Sequence, residues 1–253
     1  MDIKMIVTDL DGTFFRNDKT VSDYTADIFK KCREKGIKLT FATARSSNAQ
    51  IPISLFDGFV KSNGAVAITN NKTIYNKPIP IQPARQLLTA GDKAGISIVV
   101  QNNERHCANF NLKEVTGYLD GEIIDFAKID FEPHKIFALI KSEEEIEVLE
   151  KNLSDDLYMT IARDSVAMVM HKDAVKSKAV EALANHWGLK QSEIAAFGDD
   201  INDIDLLKYC GISVAMGNAV DEVKQIADHI CDTNESDGVA KWIEGYVLSP
   251  PNL

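Results

Sequence analysis

The stretch MIVTDLDGT, residues 5–13, decides the fold class. Its first residues, Met5-Ile6-Val7, are all apolar and predict a short strand buried on both faces, which is typical of a parallel sheet. Asp9 and Asp11 follow just beyond the carboxyl end of that strand. Ligands of open parallel sheets bind at this edge, so the two acids are the first candidate site residues.

The two aspartates lie so close along the chain that their charges repel, unless a cation lies between them or one of them keeps its proton. Gly12 and Thr13 predict a tight turn whose backbone N–H groups can face an anion. The alternative is an ordinary surface turn, since Asp-Gly is a common turn dipeptide. The position directly after the first buried strand favours a binding site.

Outward from this stretch, the first and last thirds of the chain alternate short apolar runs with helical patterns. Strands are predicted at 5–7, 37–42, 194–197 and 212–215, and helices at 23–35, from 43 up to Phe56, at 203–209 and at 220–227. Strands that alternate with helices indicate βαβ units. The predicted fold class is therefore α/β, with a Rossmann-like, doubly wound parallel-sheet core.

The middle of the chain has a different pattern. Three prolines, Pro78, Pro80 and Pro83, precede a helical stretch that runs to about Ala94. Two pairs of strand candidates are close enough to form hairpins: 96–101 with 106–110, and 158–162 with 166–170. Between the two hairpins, a strand is predicted at 135–140 and a helix at 143–153. The prediction is an inserted α+β unit at 82–172, within a core made of 1–81 and 173–253.

Composition excludes several classes of partner. The net charge is −10, from 38 acidic and 28 basic residues. Nucleic acids and anionic membranes bind basic surfaces, so neither is expected as the main partner. No stretch approaches the ~20 apolar residues of a membrane span, and no signal-like segment opens the sequence. The 4 cysteines form no C-x-x-C pair. They predict free thiols in a reducing compartment, and hence a cytoplasmic protein. Nothing in the sequence indicates an oligomeric state.

Polar side chains also follow two further predicted strands. Thr43 ends the second strand, and Asp199 follows the strand at 194–197. Because the carboxyl ends of parallel strands meet at one edge, these side chains should converge with Asp9 on one crevice. Taken alone, Thr43 fits a strand-end hydroxyl equally well, and Asp199, Asp200 and Asp203 fit acids at the start of a helix. The Asp9 context favours the shared site.

Lys176 and Lys178 differ in their predicted direction. Val180, Leu183 and Trp187 share one face of the following helix, and Lys176, four residues before Val180, falls on that inward face. Lys178 falls nearly opposite, so it is expected to be a solvated charge. A lysine aimed at the core is costly unless carboxylates or a bound anion neutralise it, or its stem reaches out to solvent. Lys176 is therefore a candidate site residue.

These segments resemble the motifs of the haloacid dehalogenase (HAD) superfamily. DLDGT at 9–13 is similar to the first motif, Thr43 matches the hydroxyl of the second and Lys176 the lysine of the third. GDDIND at 198–203 resembles the fourth, acidic motif. The third and fourth motifs, with SNGA at 62–65, VAMGNA at 214–219 and DGVA at 237–240, are similar to the Cof-type phosphatase branch, whose members carry a large α/β cap.

The resemblance implies a Mg²⁺-dependent phosphatase. Asp9 would attack phosphorus and form an aspartyl-phosphate, while Asp11 would act as general acid and base. That role needs an Asp11 pKa well above the ~3.9 of free aspartate, or transient protonation at the moment of transfer. The implied Mg²⁺ ligands are the Asp9 and Asp199 carboxylates and the Asp11 backbone carbonyl, with Asp203 supporting the metal waters or orienting Lys176.

The resemblance also implies a phosphate pocket. Thr43, Lys176 and backbone N–H groups would neutralise the phosphoryl oxygens, where most catalysis of this reaction arises. The residues expected to face phosphate or substrate are Gly12, Ala44, Arg45, Asn63, Gly64 and Asn202. Ala44 departs from the usual glycine of the family, and Asp205 from the methionine that relatives often have. The insert is expected to act as a cap that selects the leaving group, with Arg105, His106 and Arg163 as candidates.

Three other functions stay open at this stage. A non-catalytic phospho-acceptor domain also combines clustered acids, a hydroxyl and a lysine, but an inserted cap favours small-molecule chemistry. Dehalogenases of the same superfamily do not need the second acid, so Asp11 argues against them. A phosphomutase remains the main alternative among enzymes. By resemblance the leading substrate is a sugar phosphate, followed by a phosphorylated cofactor such as pyridoxal phosphate.

Overall fold

The structure is a computed structural model that describes residues 2–47, 50–103, 105–117, 119–161 and 165–249. The chain folds as two compact units, here termed the core unit (Met1–Asn76 with Val175–Leu253) and the inserted unit (Lys77–Ala174). Within the described ranges, every helix is too short or too polar to cross a lipid bilayer.

The N-terminal part of the core unit begins with the predicted strand and helix. Its elements are β1 (Met5–Thr8), α1 (Asp23–Glu34), β2 (Lys38–Ala42), β3 (Gly58–Lys61), β4 (Val66–Thr69) and β5 (Lys72–Asn76). Helix α1 begins where the Ser22 side chain accepts a hydrogen bond from Thr25 N–H, and it buries Ile28 and Phe29. It ends before Gly36, which has a φ of +79°.

The helix predicted up to Phe56 is wrong. Only a 3₁₀ turn, Ile53–Leu55, forms there, because Pro52 lacks an N–H and disfavours helical backbone in the residue before it. The part of this prediction on Asn48 and Ala49 lies outside the described residues. Strands β3, β4 and β5, which follow this turn, were not predicted.

The inserted unit forms a sheet of its own. Its elements are α2 (Ile81–Lys93), β6 (Ser97–Asn102), β7 (Arg105–Ala108), α3 (Leu112–Thr116), β8 (Glu122–Ile123), β9 (Lys135–Leu139), α4 (Glu143–Lys151), β10 (Leu157–Ile161) and β11 (Val166–His171). The strand order is β10-β11-β9-β6-β7-β8, antiparallel except for the β7–β8 pair. Both predicted hairpins are confirmed.

One face of this sheet forms the apolar core of the inserted unit. Ile98, Val100 and Ile136 are buried there together with Leu87 of α2 and Leu149 of α4. Side chains alternate between the two faces along a strand, so every second residue points to the same face. The apolar residues at these positions pack the sheet against both helices. The inserted unit therefore has a hydrophobic core of its own.

The C-terminal part of the core unit completes the parallel sheet. Its elements are α5 (Lys176–His186), β12 (Ile194–Gly198), α6 (Ile204–Tyr209), β13 (Ile212–Ala215), α7 (Asp221–Ile226), β14 (His229–Ile230) and α8 (Gly238–Ile243). The strand order is β14-β13-β12-β1-β2-β3-β4-β5. Strands β14 to β3 are parallel and the last two pairs are antiparallel. The predicted α/β fold class is confirmed.

The unit boundaries lie a few residues from those expected from the sequence. Strand β5 pairs with β4 up to Asn76, the last residue of this part of the core unit, whereas Ile79 packs in the apolar core of the inserted unit. On the return, the chain re-enters the core unit at Val175, directly before α5.

Strand β1 lies in the middle of the core sheet, between β2 and β12. Its residues Met5, Ile6, Val7 and Thr8 are fully buried. Each large apolar side chain buried in this way contributes roughly 1.5–3 kcal/mol. The continuous apolar run thus fixes β1 centrally and places the residue that follows it at the middle of the sheet edge.

Candidate active site

Three adjacent strands end in register at the same edge of the core sheet. Thr8, the last residue of β1, pairs with Phe41 of β2 and Phe197 of β12. Asp9 is the first residue after β1, Thr43 the first after β2 and Asp199 the first after β12. Asp9 and Thr43 are buried, with 6% and 1% of their surface exposed. The strand order therefore gathers three polar groups at one edge.

Lys176 carries a buried positive charge in this region. Its Nζ donates hydrogen bonds to Asp9 Oδ1 at 2.7 Å and to Asp203 Oδ1 at 2.6 Å, and only 1% of the side chain is exposed. Lys176 is the first residue of α5, and Val180 is buried on the same helix. Lys178 is exposed. The two lysines therefore take the opposite directions that helical spacing predicts.

Asp205 fixes the start of the helix that carries Lys176. Its Oδ2 accepts a hydrogen bond of 2.8 Å from the backbone N–H of Ser177, in the first turn of α5. The first N–H groups of a helix have no partner within the helix, and an acid there also interacts favourably with the helix dipole. The departure from the family pattern at this position thus has a structural role in this chain.

Asp203 is fully buried, and both of its carboxylate oxygens accept hydrogen bonds. Oδ1 binds Lys176, while Oδ2 accepts from the backbone N–H of Asp199 at 3.0 Å and of Asp200 at 3.3 Å. A Cβ added to Gly198 would lie 2.5 Å from the Asp203 Cβ, so the backbone can approach only because residue 198 is glycine. Asp203 therefore orients both Lys176 and the loop that begins at Asp199.

Asp199 packs directly against the loop after β1. Thr13 Oγ1 donates a hydrogen bond of 2.6 Å to Asp199 Oδ1. Gly12 has a φ of +84°, and a Cβ added there would lie 2.2 Å from Asp199 Oδ2. The position needs glycine on both counts, because its φ is positive and because a carboxylate fills the space of a side chain.

The acids at this edge have raised pKa values. Burial is the main cause for Asp9, and the charges of Asp203 and Asp199 raise its pKa further, while Lys176 opposes the shift. Burial raises the pKa of Asp199 to about 6. The pKa of Lys176 is also raised, because Asp203 and Asp9 outweigh the effect of burial. The cluster thus holds more negative charge than the lysine neutralises.

A divalent cation fits this cluster. Asp9, Asp199 and Asp203 each offer a carboxylate oxygen, and these atoms lie within 4.8 Å of one another. Mg²⁺ prefers such hard oxygen ligands, and a cation there would stabilise the ionised carboxylates against burial and against their mutual repulsion. Because both Asp203 oxygens already accept hydrogen bonds, Asp9 and Asp199 have more capacity for direct ligation.

Asp11 lies in a second, partly exposed group of charges. Arg45 donates from Nε to Asp11 Oδ2 at 2.6 Å and from Nη2 to Oδ1, and Lys19 Nζ donates to Oδ1 at 2.8 Å. Partial burial raises the pKa of Asp11, but the hydrogen bonds and charges of Arg45 and Lys19 outweigh it and lower the pKa. The expectation of a raised Asp11 pKa is therefore wrong for this conformation, and the alternative of transient protonation stands.

The residues expected around the phosphate fall into two sets. Thr43 Oγ1 accepts a hydrogen bond of 3.2 Å from Arg45 N–H, and the Thr43 carbonyl accepts one of 3.0 Å from Asn63 N–H. Gly64 has a φ of +96°, and an added Cβ would lie 2.6 Å from the backbone nitrogen of Lys176. These contacts bring the two loops after β2 and β3 together with the start of α5.

Ala44 and Asn202 lie at the surface. Both residues are exposed, and Asn202 belongs to the 3₁₀ turn Ile201–Asp203. The backbone of Ala44 does not have a positive φ, so its conformation does not require the glycine usual in the family. The methyl group of Ala44 is therefore tolerated in this loop.

The candidates in the inserted unit are less specific. Arg105 donates a hydrogen bond of 2.7 Å to Glu122 and lies 4.7 Å from the centre of the Phe131 ring. Both partners belong to the inserted unit. An exposed ion pair with an aromatic ring beside it is typical of a solvated surface charge. His106 Nε2 lies 2.6 Å from Gln101 Nε2. Arg163 lies outside the described residues.

Sequence reasoning missed two residues that contact the loop after β1. Lys19 binds Asp11 from a turn, and no pattern distinguishes it from other surface lysines. Asn218 donates to the Gly12 carbonyl at 2.8 Å. Asn218 belongs to the motif at 214–219, which indicated that this segment matters. The sequence did not indicate which group its side chain contacts.

The chain is similar to known proteins over nearly its whole length. A family model described as haloacid dehalogenase-like hydrolase matches residues 6–243. A Haemophilus influenzae protein named as a phosphatase is 31% identical, over 96% of this chain and 98% of its own length. The 5-amino-6-(5-phospho-D-ribitylamino)uracil phosphatase YitU of Bacillus subtilis is 26% identical, over 96% of this chain and 97% of its own length.

A solved structure extends the similarity to the whole fold. The HAD subclass IIB sugar phosphatase BT4131 superimposes with a TM-score of 0.79 at 25% sequence identity, covering 95% of this chain and 98% of the other. The match of the family model across both parts of the core unit and the agreement in fold lead to the same result: the chain belongs to the haloacid dehalogenase-like hydrolases.

Proposed function

We propose that this chain hydrolyses the phosphate monoester of a small metabolite, with Mg²⁺, through an aspartyl-phosphate on Asp9. The chain is a phosphatase of the HAD superfamily. The observation that carries the proposal is the environment of Asp9, a buried carboxylate in contact with Lys176 and surrounded by the acids that fit a divalent cation.

Asp9 is assigned the role of nucleophile. Its position at the end of the central strand and its hydrogen bond to Lys176 fix the direction of the carboxylate before substrate arrives. Mg²⁺, when bound by Asp9, Asp199 and the Asp11 carbonyl, supplies positive charge to the phosphoryl oxygens and favours the ionised form of Asp9. Lys176 and Thr43 would stabilise the same oxygens from the protein side.

Asp11 is assigned the proton transfers. It would give a proton to the leaving oxygen and later take one from the water that hydrolyses the aspartyl-phosphate. In this conformation Arg45 and Lys19 hold Asp11 ionised, so it cannot yet act as an acid. We infer that substrate binding loosens these ion pairs, since an approaching phosphate competes for the same cations.

A phosphorylated sugar or sugar alcohol is the proposed substrate class. BT4131 is a sugar phosphatase, and the substrate in the name of YitU carries its phosphate on a ribityl chain. Both describe a phosphate on a polyhydroxylated carbon chain. We propose that the inserted unit acts as the cap that selects this leaving group. Phosphorylated cofactors such as pyridoxal phosphate form the second class to test.

The setting of this activity is expected to be the cytoplasm. The four cysteines, Cys32, Cys107, Cys210 and Cys231, are free thiols, which supports a reducing compartment. The acidic net charge of −10 continues to favour a small anionic substrate held by local cations over nucleic acid.

The proposal is tested by turnover of p-nitrophenyl phosphate and of a panel of phosphorylated metabolites. We expect Mg²⁺-dependent release of phosphate that is lost in Asp9→Asn and on chelation, and retained in the control Asp27→Asn, which alters an exposed acid of α1. No turnover on any phosphoester would refute the phosphatase. Formation of an isomerised sugar phosphate in place of free phosphate would identify a phosphomutase instead.

A further inference from the structure

Two segments near the C-terminus hold the loop after β1. Asn218 Nδ2 donates a hydrogen bond of 2.8 Å to the carbonyl oxygen of Gly12, and Asn218 Oδ1 accepts one of 3.0 Å from the backbone N–H of Asn234. The second bond fixes the orientation of the amide, because only oxygen can accept from an N–H. Asn218 is thus held with its NH₂ group towards Gly12.

Gly12 in turn lies against Asp199. A Cβ at Gly12 would lie 2.2 Å from Asp199 Oδ2, and the next residue, Thr13, donates a hydrogen bond of 2.6 Å to Asp199 Oδ1. The Gly12 Cα and the Thr13 hydroxyl therefore each face one oxygen of the Asp199 carboxylate. A shift of the Gly12–Thr13 segment therefore changes the position of the Thr13 hydroxyl and the space left for the Asp199 carboxylate.

The segment that carries Asn218 also binds the backbone of Asp199. The N–H of Val220, two residues later, donates a hydrogen bond of 3.0 Å to the Asp199 carbonyl. One short segment thus holds Asp199 directly at its backbone and, through Gly12, at its side chain. Groups that hold a metal ligand in place without binding the metal orient that ligand in many metalloenzymes.

We propose that Asn218 is a positioning residue for the metal ligand Asp199, and that it sets the affinity of the site for Mg²⁺. The proposal rests on the proposed function, because it takes Asp199 as a ligand of Mg²⁺. In this role Asn218 is not itself a metal ligand. It acts by holding the Gly12 carbonyl, and so the spacing between the Gly12–Thr13 peptide and the Asp199 carboxylate.

The neighbouring Asn234 provides the contrast with a structural role. Asn234 is buried, and its Nδ2 donates to the Phe15 carbonyl at 3.0 Å and to Asn17 Oδ1 at 3.2 Å. Asn218 is exposed. Loss of a buried, hydrogen-bonded amide destabilises a protein more than loss of an exposed one. Asn234 should therefore contribute to stability, and Asn218 to the geometry of the site.

The test is calorimetric titration of the substrate-free protein with Mg²⁺. We expect Asn218→Ala to bind Mg²⁺ about tenfold more weakly than the wild type, with an unchanged melting temperature in the absence of metal. At saturating Mg²⁺, KM for p-nitrophenyl phosphate should stay at the wild-type value. Asn152→Ala is the matched control, since Asn152 Nδ2 also donates to a backbone carbonyl, that of Val148, at 2.8 Å.

A double-mutant cycle with Thr13→Val shows whether Asn218 acts through the Gly12–Thr13 peptide. If it does, the losses of Mg²⁺ affinity in Asn218→Ala and Thr13→Val will not multiply in the double variant. Independent, multiplicative losses would overturn the proposed route. Unchanged Mg²⁺ affinity in Asn218→Ala, or a fall in melting temperature equal to that of Asn234→Ala, would overturn the positioning role. Failure of the wild type itself to bind Mg²⁺ would instead refute the proposed function.

Discussion

Asp9 and Asp11 lie two residues apart in the sequence and in opposite environments in the structure. Asp9 belongs to a buried charge centre, in which one lysine faces three carboxylates, and burial raises its pKa. Asp11 belongs to a partly exposed ion-pair group, in which Arg45 and Lys19 face one carboxylate and lower its pKa. The ratio of cations to anions is thus reversed between the two regions.

The comparison explains how one short motif can serve the two chemical roles that we propose. In the buried centre, excess negative charge calls for a cation, so the site is suited to binding a metal beside a nucleophile. In the exposed group, the two cations outnumber the carboxylate, so this region is suited to binding a phosphate. Neither role follows from the type of residue alone, since both are aspartates. Burial and partners assign them.

The largest expected effect comes from removing the cation of the buried centre. Lys176→Met leaves Asp9 and Asp203 without their buried partner, which should cost about 3–5 kcal/mol of stability and abolish detectable turnover. Urea denaturation at neutral pH measures the first effect. Lys178→Met, at an exposed position of the same helix, is the control and should match the wild type. Equal stability of the two variants would contradict the account of the buried centre.

The second effect separates the roles of the two acids. Asp11→Asn should slow hydrolysis of a sugar phosphate by about 10²–10⁴-fold, because the alkoxide of the departing sugar must be protonated as it leaves. Hydrolysis of p-nitrophenyl phosphate should slow much less in its first step, since nitrophenolate leaves without a proton. A pre-steady-state burst of nitrophenolate measures this step. Equal losses for both substrates would show that Asp11 is not the general acid.

The third effect is the dependence of metal binding on pH. Asp199 has a pKa raised to about 6 from its ordinary 3.8, mainly through burial, so the metal-free fold is stabilised by its proton at low pH. That contribution is present below pH 3.8 and is lost as the pH rises through about 6. Mg²⁺ competes with this proton, so the rise in melting temperature on adding Mg²⁺ should grow between about pH 5 and pH 7. A Mg²⁺ effect that is constant over this range would contradict the coupling.

The smallest effect concerns the exposed group. Lys19→Met removes one of the two cations at Asp11 and should leave stability unchanged, because exposed ion pairs contribute little. With one cation fewer, the Asp11 pKa should rise, so the basic limb of the pH profile of kcat should move to higher pH. Lys30→Met, in an exposed ion pair of α1, is the control. A shift of the limb to lower pH would contradict the assigned role of Lys19.

Much of the buried centre could be predicted from sequence because it follows from periodic patterns. The apolar run before Asp9, the strand before Asp199 and the helical face that includes Lys176 each have a regular repeat, and parallel strands bring their ends to one edge. The resemblance to known motifs then supplied expected roles. The order of the strands, however, came from the structure.

The exposed group could not be predicted in the same way. Lys19 reaches Asp11 from an irregular turn with a positive φ of 65°. The contact that Asn218 makes with Gly12, on the Asp199 side of the same loop, likewise spans 206 positions of sequence. No period relates such loop residues to the motif. Of the two routes expected for Asp11, a raised pKa was wrong and transient protonation stands, because the ion pairs with Arg45 and Lys19 lower the pKa. Arg45 was expected to face the substrate, and its pairing with Asp11 has no signal in the sequence. The helix predicted up to Phe56 was wrong because Pro52 stops it.

The central claim is that the phosphoryl group passes through Asp9. The most direct measurement uses Asp11→Asn, in which hydrolysis of the intermediate should be slow, with p-nitrophenyl phosphate and Mg²⁺, quenched in acid and digested for peptide mass spectrometry. The account predicts one added phosphoryl group on the peptide that contains Asp9, and none in the double variant with Asp9→Asn. Release of phosphate with the Asp9 peptide unmodified at every time of quenching, or a phosphoryl group on another residue, would contradict it.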